Sequence, residues 1–247
     1  MRIIISPAKK MNIDTDSLPY RDLPIFLQKT EKLLAELQSM DYDALKKLWK
    51  CSDKIAEENV ERLQDMNLQQ RLTPAVLAYE GIQYQYMAPT VFSDKEYAYV
   101  QEHLRILSGF YGVLRPFDGV VPYRLEMQAK LKIDEAKDLY GFWGSLLADH
   151  LTAETDCIIN LASKEYSTAV AKHLPDHVRM ITCVFGEEAD GKIIEKGTLC
   201  KMARGEMVRR MAENQVAKPE ALKTLTLSNY AFSEGLSDEE TYVYLKK

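Results

Sequence analysis

Residues 104–127, LRILSGFYGVLRPFDGVVPYRLEM, contain the turn on which the fold prediction depends. Gly109 and Gly112 are three residues apart, and Arg115 and Pro116 follow them. Glycine and proline at this spacing let the backbone bend tightly and pass close to a neighbouring group. The pattern is typical both of a hairpin whose N–H groups face phosphate and of a plain connecting turn.

A helix is predicted to lead into this turn. Ser93 and Glu96 have the spacing of a capping box, in which each side chain accepts a hydrogen bond from the other residue's backbone N–H. Apolar residues continue at helical spacing through Leu104 and Leu107, and Gly109 is a typical helix terminator. The pattern therefore predicts a helix that ends near Gly109.

The rest of the chain alternates between helical and strand patterns. Helices are predicted over residues 23–40 with Asp22 as cap, around Leu45 to Trp49, after Ser52, over residues 138–152 and over residues 201–216. Strands are predicted over residues 2–6, 76–79, 157–161, 178–185, 192–199 and 241–245. These elements indicate an α+β fold, a mixed sheet flanked by helices. We expect residues 1–247 to form one domain, because no repeat or low-complexity linker interrupts them.

Composition is that of an ordinary globular protein, with 46% hydrophobic and 28% charged residues. The apolar run at residues 3–5 is too short for a signal peptide or a membrane span, so we expect a cytoplasmic protein without a membrane partner. The four cysteines form no C-x-x-C pair, and Pro175 separates His173 from His177. We therefore expect reduced thiols, no metal site and no bound cofactor.

The net charge of −5 hides an uneven distribution of charge. Residues 1–10 carry +3, residues 104–130 carry +2, and residues 196–218 carry +4. If these three windows converge in the fold, an acidic protein can still present a basic face to an anionic partner.

Two segments that follow predicted strands are rich in ligand-binding groups. Ser6 ends the first predicted strand and Lys9 follows it, and Lys9 can hold an anion as a point charge. Asn160 lies at the end of another predicted strand, Ser163 and Glu165 follow it, and all three can orient a ligand. Ligands gather at such strand ends in sheets covered by helices. The alternative for Asn160 and Ser163 is that they only cap the next helix.

Two further segments carry charged pairs. Lys201 and Arg204 are three residues apart on a predicted helix and share one face, beside Gly205, which permits close approach of a phosphate or a second backbone. Arg209 and Arg210 lie elsewhere on that helix and are predicted to be solvated or ion-paired.

In the segment Tyr123 to Glu126, strand alternation would place Arg124 and Glu126 on one side and Tyr123 on the other. The arginine–carboxylate pair is either structural or positions an acid/base group.

Several strings of the sequence resemble the bacterial YaaA family. They are ISPAK (5–9), LRILSGFYGVLRP (104–116), PYRLEM (122–127), DLYGFWG (138–144), NLASKEY (160–166) and KMARGEMVR (201–209). The resemblance spans essentially the whole chain. It implies a protein of peroxide stress resistance that limits the free intracellular iron from which hydroxyl radicals form on DNA.

The resemblance also implies an unusual α/β fold with a basic cleft and a helix-hairpin-helix element that binds DNA. That element would fall on residues 104–115, with the backbone N–H groups around Gly109 and Gly112 facing phosphate. The usual signature has its glycines two residues apart, whereas here they are three apart. Binding through such a hairpin would be independent of DNA sequence and strongly dependent on salt.

Two function classes follow. In the first, the protein binds duplex DNA non-specifically, and the phosphates are met by Lys9, Arg105, Arg115, Arg124, Lys201 and Arg204. In the second, it is an enzyme acting on a small anionic or nucleotide-like ligand, in a pocket formed by Lys9, Tyr123, Arg124, Glu126, Asn160, Ser163, Glu165 and Lys201. Glu126 and Tyr123 are the candidate acid/base groups of such an enzyme. A deep pocket lined by these groups favours the enzyme, and an open basic groove favours DNA binding. Direct iron binding would need converging carboxylates and histidines.

Overall fold

The central strand of the protein is β1 (Arg2–Ile5), in a computed structural model that describes residues 1–247. It pairs in parallel with β5 (Leu104–Ser108) on one edge and with β8 (Cys157–Leu161) on the other. Ile3, Ile4 and Ile5 are fully buried, and burial of each such side chain contributes about 1.5–3 kcal/mol. A run of apolar β-branched residues suits a strand that is covered on both faces.

The main sheet is mixed and has eight strands, so the predicted α+β class is confirmed. Beyond β8 lie β9 (Arg179–Ala189), β12 (Thr241–Lys246) and the antiparallel β11 (Tyr230–Phe232), while β10 (Lys192–Ile194) pairs with β9. Beyond β5 lies the antiparallel β6 (Gly112–Leu114). The five parallel strands therefore run in the spatial order β12-β9-β8-β1-β5.

Helices and two short ladders complete the fold. The ladders are β2 (Lys10–Met11) with β4 (Tyr79–Glu80), and β3 (Thr73–Pro74) with β7 (Gly119–Val120). The helices are α1 (Leu27–Ser39), α2 (Tyr42–Trp49), α3 (Asp53–Gln64), α4 (Ala75–Ala78), α5 (Ile82–Met87), α6 (Asp94–His103), α7 (Leu139–Trp143), α8 (Leu146–Glu154), α9 (Lys164–Ala171) and α10 (Gly197–Glu213). Short 3₁₀ helices span Pro89–Val91, Pro219–Thr224 and Glu234–Leu236.

The prediction that a helix continues through Leu107 is wrong. The capping box is present, since the Ser93 side chain accepts from the backbone N–H of Glu96 and the Glu96 carboxylate accepts from that of Ser93. The helix nevertheless ends at His103, and Leu104 already has extended backbone angles. Apolar residues at 104, 106 and 107 suit a buried strand as well as a helix. Pairing with β1 decides between them.

Gly109 and Gly112 lie in the turn of a β-hairpin. Ser108 pairs with Gly112 at the end of the antiparallel ladder between β5 and β6. Gly112 has a φ of +77°, which favours glycine, and Trp143 and Leu147 pack against it. A Cβ at Gly109 would lie 2.7 Å from the carbonyl oxygen of Leu125. The helix-hairpin-helix element expected over residues 104–115 is therefore a strand–turn–strand unit.

Other predicted boundaries also shift. Asp22 does not cap a helix, because α1 begins at Leu27 with Phe26 before it. The strand predicted over residues 76–79 is one turn of helix, α4, followed by β4. Gly144, at a φ of +51°, divides the helix predicted over residues 138–152 into α7 and α8. The predictions for β1, α2, α3, β8 and the strand at β12 are confirmed.

The longest helix, α10, packs directly against α5 at Gly205. A Cβ at this position would lie 2.0 Å from the carbonyl oxygen of Gln83. The absence of a side chain is therefore what allows the two backbones to approach, as the sequence predicted for a glycine in a basic helix.

None of the helices has the length and apolar character that a membrane-spanning helix needs.

Replacing Gly205 by alanine should destabilise the protein, because α10 must move away from α5 to relieve the overlap. We expect a loss of about 1–3 kcal/mol in the free energy of unfolding, as measured by chemical denaturation. Gly197→Ala is the matched control, since it lies in the same helix and a Cβ there meets no atom within 4 Å. Equal stability of the two variants would contradict the packing argument.

Candidate functional site

A cavity lies where the order of the parallel strands reverses. From β1 the chain goes next to β5 on one side, and the following parallel strand, β8, lies on the other side. In open sheets of this kind, ligands bind at the carboxyl ends of the strands at such a reversal. Ser6 follows β1 and Ser163 follows β8. The Ser6 hydroxyl oxygen accepts from the backbone N–H of Ser163 at 2.8 Å, which joins the two strand ends.

The cavity has a volume of about 410 Å³, within the range of small-molecule sites. It is formed by the segment after β1, the segment between β4 and α5, the extended segment after β7, the start of α9 and one face of α10. Its lining residues are Ser6, Pro7, Ala8, Lys9, Lys10, Glu80, Gly81, Ile82, Gln83, Tyr84, Tyr123, Arg124, Leu125, Glu126, Ser163, Glu165, Tyr166, Lys201 and Arg204. The predicted groups from four separate parts of the sequence therefore converge here.

Three local features bring these groups together. The β2–β4 ladder pairs Lys10 with Glu80 and holds the segment after β1 in place. The glycine at 109 lets the β5–β6 turn pack against the backbone of residues 125–127. Close packing at Gly205 brings the Lys201 and Arg204 face of α10 to the cavity.

The cavity carries an excess of positive charge. Its five cationic side chains face three carboxylates, although the whole protein has a net charge of −5. Lys9 pairs with Glu126 at 2.9 Å, and Arg124 lies 3.7 Å from the same carboxylate. Arg204 reaches Glu195 only at 3.5 Å. Lys201 forms no ion pair and is exposed. The neutralisation of the cations is thus incomplete.

Two arginines of the cavity keep an unsatisfied donor. The Nε–H groups of Arg124 and Arg204 are buried, and neither has a hydrogen-bond partner in the protein. Buried polar groups are nearly always paired, so each such group calls for an explanation. The part of each guanidinium group that remains exposed can donate to an anion in the cavity.

Two carboxylates of the cavity, Glu126 after β7 and Glu165 at the start of α9, have different surroundings. Glu126 lies between two cations, Lys9 and Arg124. Glu165 accepts from the backbone N–H of Gln128 and forms no ion pair. Burial raises the pKa of Glu165 above its usual value, and the nearby Glu126 charge acts in the same direction. Burial therefore favours the protonated form of Glu165.

The exposure of residues 123–126 alternates as predicted, although these residues do not form a strand. Tyr123 and Leu125 are buried and Arg124 and Glu126 are half-buried, although all four contribute to the lining of the cavity. The segment is extended without ladder partners. The predicted ion pair between Arg124 and Glu126 is therefore made within the site.

Arg105 and Arg115 do not belong to the cavity. Arg105 is almost fully buried and binds the Glu154 carboxylate at 2.9 Å, which Arg2 also contacts. Arg115 pairs with Asp22 and Asp118 at 3.1 Å. These arginines belong to the other end of the β1–β5 ladder, away from Ser6. The basic residues of the window 104–130 are thus divided between two places. Arg124 lines the cavity, whereas Arg105 and Arg115 form structural ion pairs.

The turn at Gly109 and Gly112 and the side chain of Asn160 also have structural roles, whereas Ser163 lines the cavity. The turn around Gly109 and Gly112 is buried, so its N–H groups do not face a cleft. The Ser108 hydroxyl accepts from the N–H groups of Phe110 and Tyr111 in that turn. Asn160 does not line the cavity, because its side chain binds Thr182 and the N–H of Ala162. Ser163 precedes α9 as predicted, but its side chain makes no capping hydrogen bond.

The sequence interpretation missed part of the lining. Glu80, Gly81, Gln83, Tyr84 and Tyr166 are brought in by the short ladder, by α5 and by α9. Residues 80–84 show only weak periodicity, so nothing in the sequence links them to the charged strings, whereas Tyr166 ends the string at residues 160–166. Lys10 is adjacent to the string ISPAK (5–9) and belongs to the basic window at residues 1–10.

The cysteines are all free thiols. Burial raises the pKa of Cys183 to about 12 and that of Cys200 to about 11, so neither is a reactive thiolate at neutral pH. No three histidine, cysteine, aspartate or glutamate side chains are arranged to hold a metal ion. Arg209 and Arg210 both pair with Glu213, as predicted for the face of α10 away from the cavity.

Comparison with known proteins gives matches over the whole chain. A family model described as peroxide stress protein YaaA matches residues 1–236. A UPF0246 protein of Pediococcus pentosaceus is 54% identical over 246 residues, which are 100% of this chain and 98% of that protein. A UPF0246 protein of Lachnoclostridium phytofermentans is 53% identical, with 100% and 96% covered. One of Lactiplantibacillus plantarum is 51% identical, with 99% of each chain covered.

Replacing Glu165 by glutamine should flatten the dependence of stability on pH. The folded state holds the Glu165 proton more tightly than the unfolded state. Its contribution to stability is therefore largest below the unfolded pKa of about 4.3 and decreases as the pH rises through the higher folded pKa. We expect wild type to lose more unfolding free energy than Glu165→Gln between pH 4 and pH 7. Parallel curves from denaturant titrations at each pH would contradict this.

Proposed function

The chain belongs to the peroxide stress protein YaaA family, and from this premise we propose that it acts in the peroxide response by binding a small anionic ligand in the cavity. The observation that carries this proposal is the convergence on one cavity of Arg124 and Arg204, whose nearest carboxylates lie 3.7 and 3.5 Å away and leave both charges incompletely paired. These arginines come from two elements far apart in sequence and line one cavity.

The ligand class follows from the lining. Arginine guanidinium groups recognise carboxylates and phosphates through paired hydrogen bonds. The rings of Tyr84, Tyr123 and Tyr166 line the same cavity and can contact an organic moiety attached to the anionic group. A nucleotide-like compound or an organic acid fits both features better than a bare inorganic ion.

The two carboxylates support acid/base chemistry on that ligand. Glu126, held between Lys9 and Arg124, is placed to accept a proton, and Glu165 is placed to hold one. Pairs of carboxyl groups in unlike environments commonly divide these two roles. We therefore propose that the protein is an enzyme of general acid–base type, with Glu126 as the proton acceptor.

The roles implied by the family resemblance form a second proposal, in which the protein limits free intracellular iron and binds duplex DNA non-specifically. The observation that favours DNA is the exposure of Lys9, Lys10 and Lys201 around the cavity. Exposed lysines can contact phosphates and release counterions. This surface uses Arg124 and Arg204 but excludes Arg105 and Arg115, which are engaged in structural ion pairs.

Anion binding can be tested by calorimetric titration with adenosine monophosphate and with inorganic phosphate. Arg124→Gln and Arg204→Gln should each weaken binding at least tenfold, because each removes charge-assisted hydrogen bonds worth about 1.5–3 kcal/mol. Arg209→Gln is the matched control, since it removes the same charge from α10 outside the cavity. Equal affinity of all three variants and wild type would contradict the proposal.

DNA binding can be tested by titrating a short duplex over a range of salt concentrations. If Lys201 and Arg204 bind phosphates, the double variant Lys201→Ala/Arg204→Ala should lower the salt slope by about 0.9 for each phosphate that it no longer neutralises. The charge-matched control is Arg209→Ala/Arg210→Ala, on another part of the same helix. A flat salt response, or undiminished binding by the first double variant, would contradict a phosphate role for this face.

A further inference from the structure

The hydroxyl of Ser108 has a single possible direction for its hydrogen. Its oxygen accepts from the backbone N–H of Phe110 at 3.1 Å and from that of Tyr111 at 2.9 Å. A serine hydroxyl has one hydrogen and two acceptor lone pairs, so both lone pairs are in use. The 2.6 Å contact between Ser108 Oγ and Tyr123 Oη must therefore be one in which Ser108 donates.

The hydroxyl of Tyr79 is constrained by its burial. Tyr79 is 2% exposed, and its hydroxyl lies 2.9 Å from Tyr123 Oη and near the Ser108 hydroxyl, whose two lone pairs are already in use. If Tyr123 donated to it, the hydrogen of Tyr79 would be buried without an acceptor, which native structures avoid. Tyr123 lines the cavity and Tyr79 does not, so an unpaired hydrogen costs less on Tyr123, and Tyr79 is the donor of this contact.

These two hydrogen bonds leave the hydrogen of Tyr123 free. Tyr123 Oη accepts from Ser108 and from Tyr79, so both of its lone pairs are occupied and no protein acceptor remains for its own hydrogen. Tyr123 lines the cavity. Its ring is held by stacking on Phe110, with centroids 4.9 Å apart, and by an edge contact with Tyr111 at 5.3 Å. The position of the donor is thus fixed before a ligand enters.

We propose that Tyr123 is a second, neutral proton donor of the cavity besides Glu165, and that Ser108 and Tyr79 orient it. The ligand then carries an acceptor atom, a carbonyl oxygen or an unprotonated ring nitrogen, beside the anionic group that Arg124 and Arg204 bind. This inference rests on the proposed function and narrows its ligand class.

The same arrangement lets Tyr123 act as a general acid. When its O–H bond breaks, the proton passes to the acceptor atom of the ligand and the electron pair stays on Oη. Hydrogen bonds from Ser108 and Tyr79 stabilise the phenolate that remains. Burial raises the pKa of Tyr123 to about 12, and these two hydrogen bonds oppose that rise. Tyr123 therefore carries its proton at neutral pH, as a donor must.

The direction of the hydrogens can be measured by hydroxyl exchange in the full chain, without any ligand. Tyrosine labelled with ¹³C at Cζ reports the exchange of each hydroxyl hydrogen in mixed H₂O and D₂O, with Tyr79→Phe and Tyr123→Phe used for assignment. We expect the Tyr123 hydroxyl to exchange at least tenfold faster than that of Tyr79, because Tyr123 lines the cavity and Tyr79 does not. A Tyr79 hydroxyl that exchanges faster than that of Tyr123 would overturn the proposal.

The variant Tyr79→Phe gives a second readout that a purely structural role would not produce. If Tyr79 donates to Tyr123, its loss should leave the exchange rate of the Tyr123 hydroxyl within about twofold of wild type. If Tyr123 instead donated to Tyr79, the substitution would release the Tyr123 hydrogen and accelerate its exchange strongly. Such an acceleration would overturn the assigned direction.

The ligand class can be tested with nicotinate, its two positional isomers and benzoate, which share a ring and a carboxylate but differ in the ring nitrogen. Wild type should bind at least one pyridine carboxylate about tenfold more tightly than benzoate, and Tyr123→Phe should lose this preference. Equal binding of all four probes by wild type would overturn the acceptor requirement. Failure of the proposed function would appear differently, as the absence of any effect of Arg124→Gln or Arg204→Gln on anion binding.

Discussion

The parallel pairing of β1 with both β5 and β8 is the constraint on which the rest of the structure depends. It makes β1 a strand that is hydrogen-bonded on both edges, with Ile3, Ile4 and Ile5 fully buried. It also places the reversal of strand order at the end of β1, where the chain leaves the sheet at Ser6. The cavity is therefore a consequence of topology, because a crevice forms where the connections from β1 diverge. The charged residues only determine what can bind in it.

The basic residues of the protein fall into two groups with different roles. Arg2, Arg105 and Arg115 pair closely with carboxylates, and Arg105 and Arg2 share Glu154. Burial works against ionisation of Glu154, but hydrogen bonds from these arginines keep its pKa below the usual value. At the cavity, Arg124 and Arg204 have more distant carboxylates and unsatisfied donors. Arg124 and Arg204 thus differ from Arg2, Arg105 and Arg115 in the distance to their carboxylates, 3.5–3.7 Å against 2.9–3.1 Å.

Much of the fold and half of the site could be predicted because the relevant signals are local. The capping box at Ser93 depends on residues three apart, and the shared face of Lys201 and Arg204 follows from helical periodicity. Leu104 to Ser108 could not be assigned in this way, since its apolar spacing suits a helix or a buried strand, and only β1 selects the strand. The same segment carries Arg105, whose burial depends on Glu154, a residue 49 positions away.

The sequence by itself determined the family, the α+β class, the separate charged strings and the positions where glycine permits close approach. Each of these depends on residue type or short-range spacing. Only the tertiary structure decided which strings meet, because the burial and pairing of a charge depend on elements distant in the chain. It joined the segments of Lys9, Arg124, Glu165 and Lys201 around one cavity, and it turned the glycine-bracketed segment from an expected phosphate hairpin into a buried β-turn. That turn contributes through Ser108, whose hydroxyl fixes Tyr123 beside the cavity.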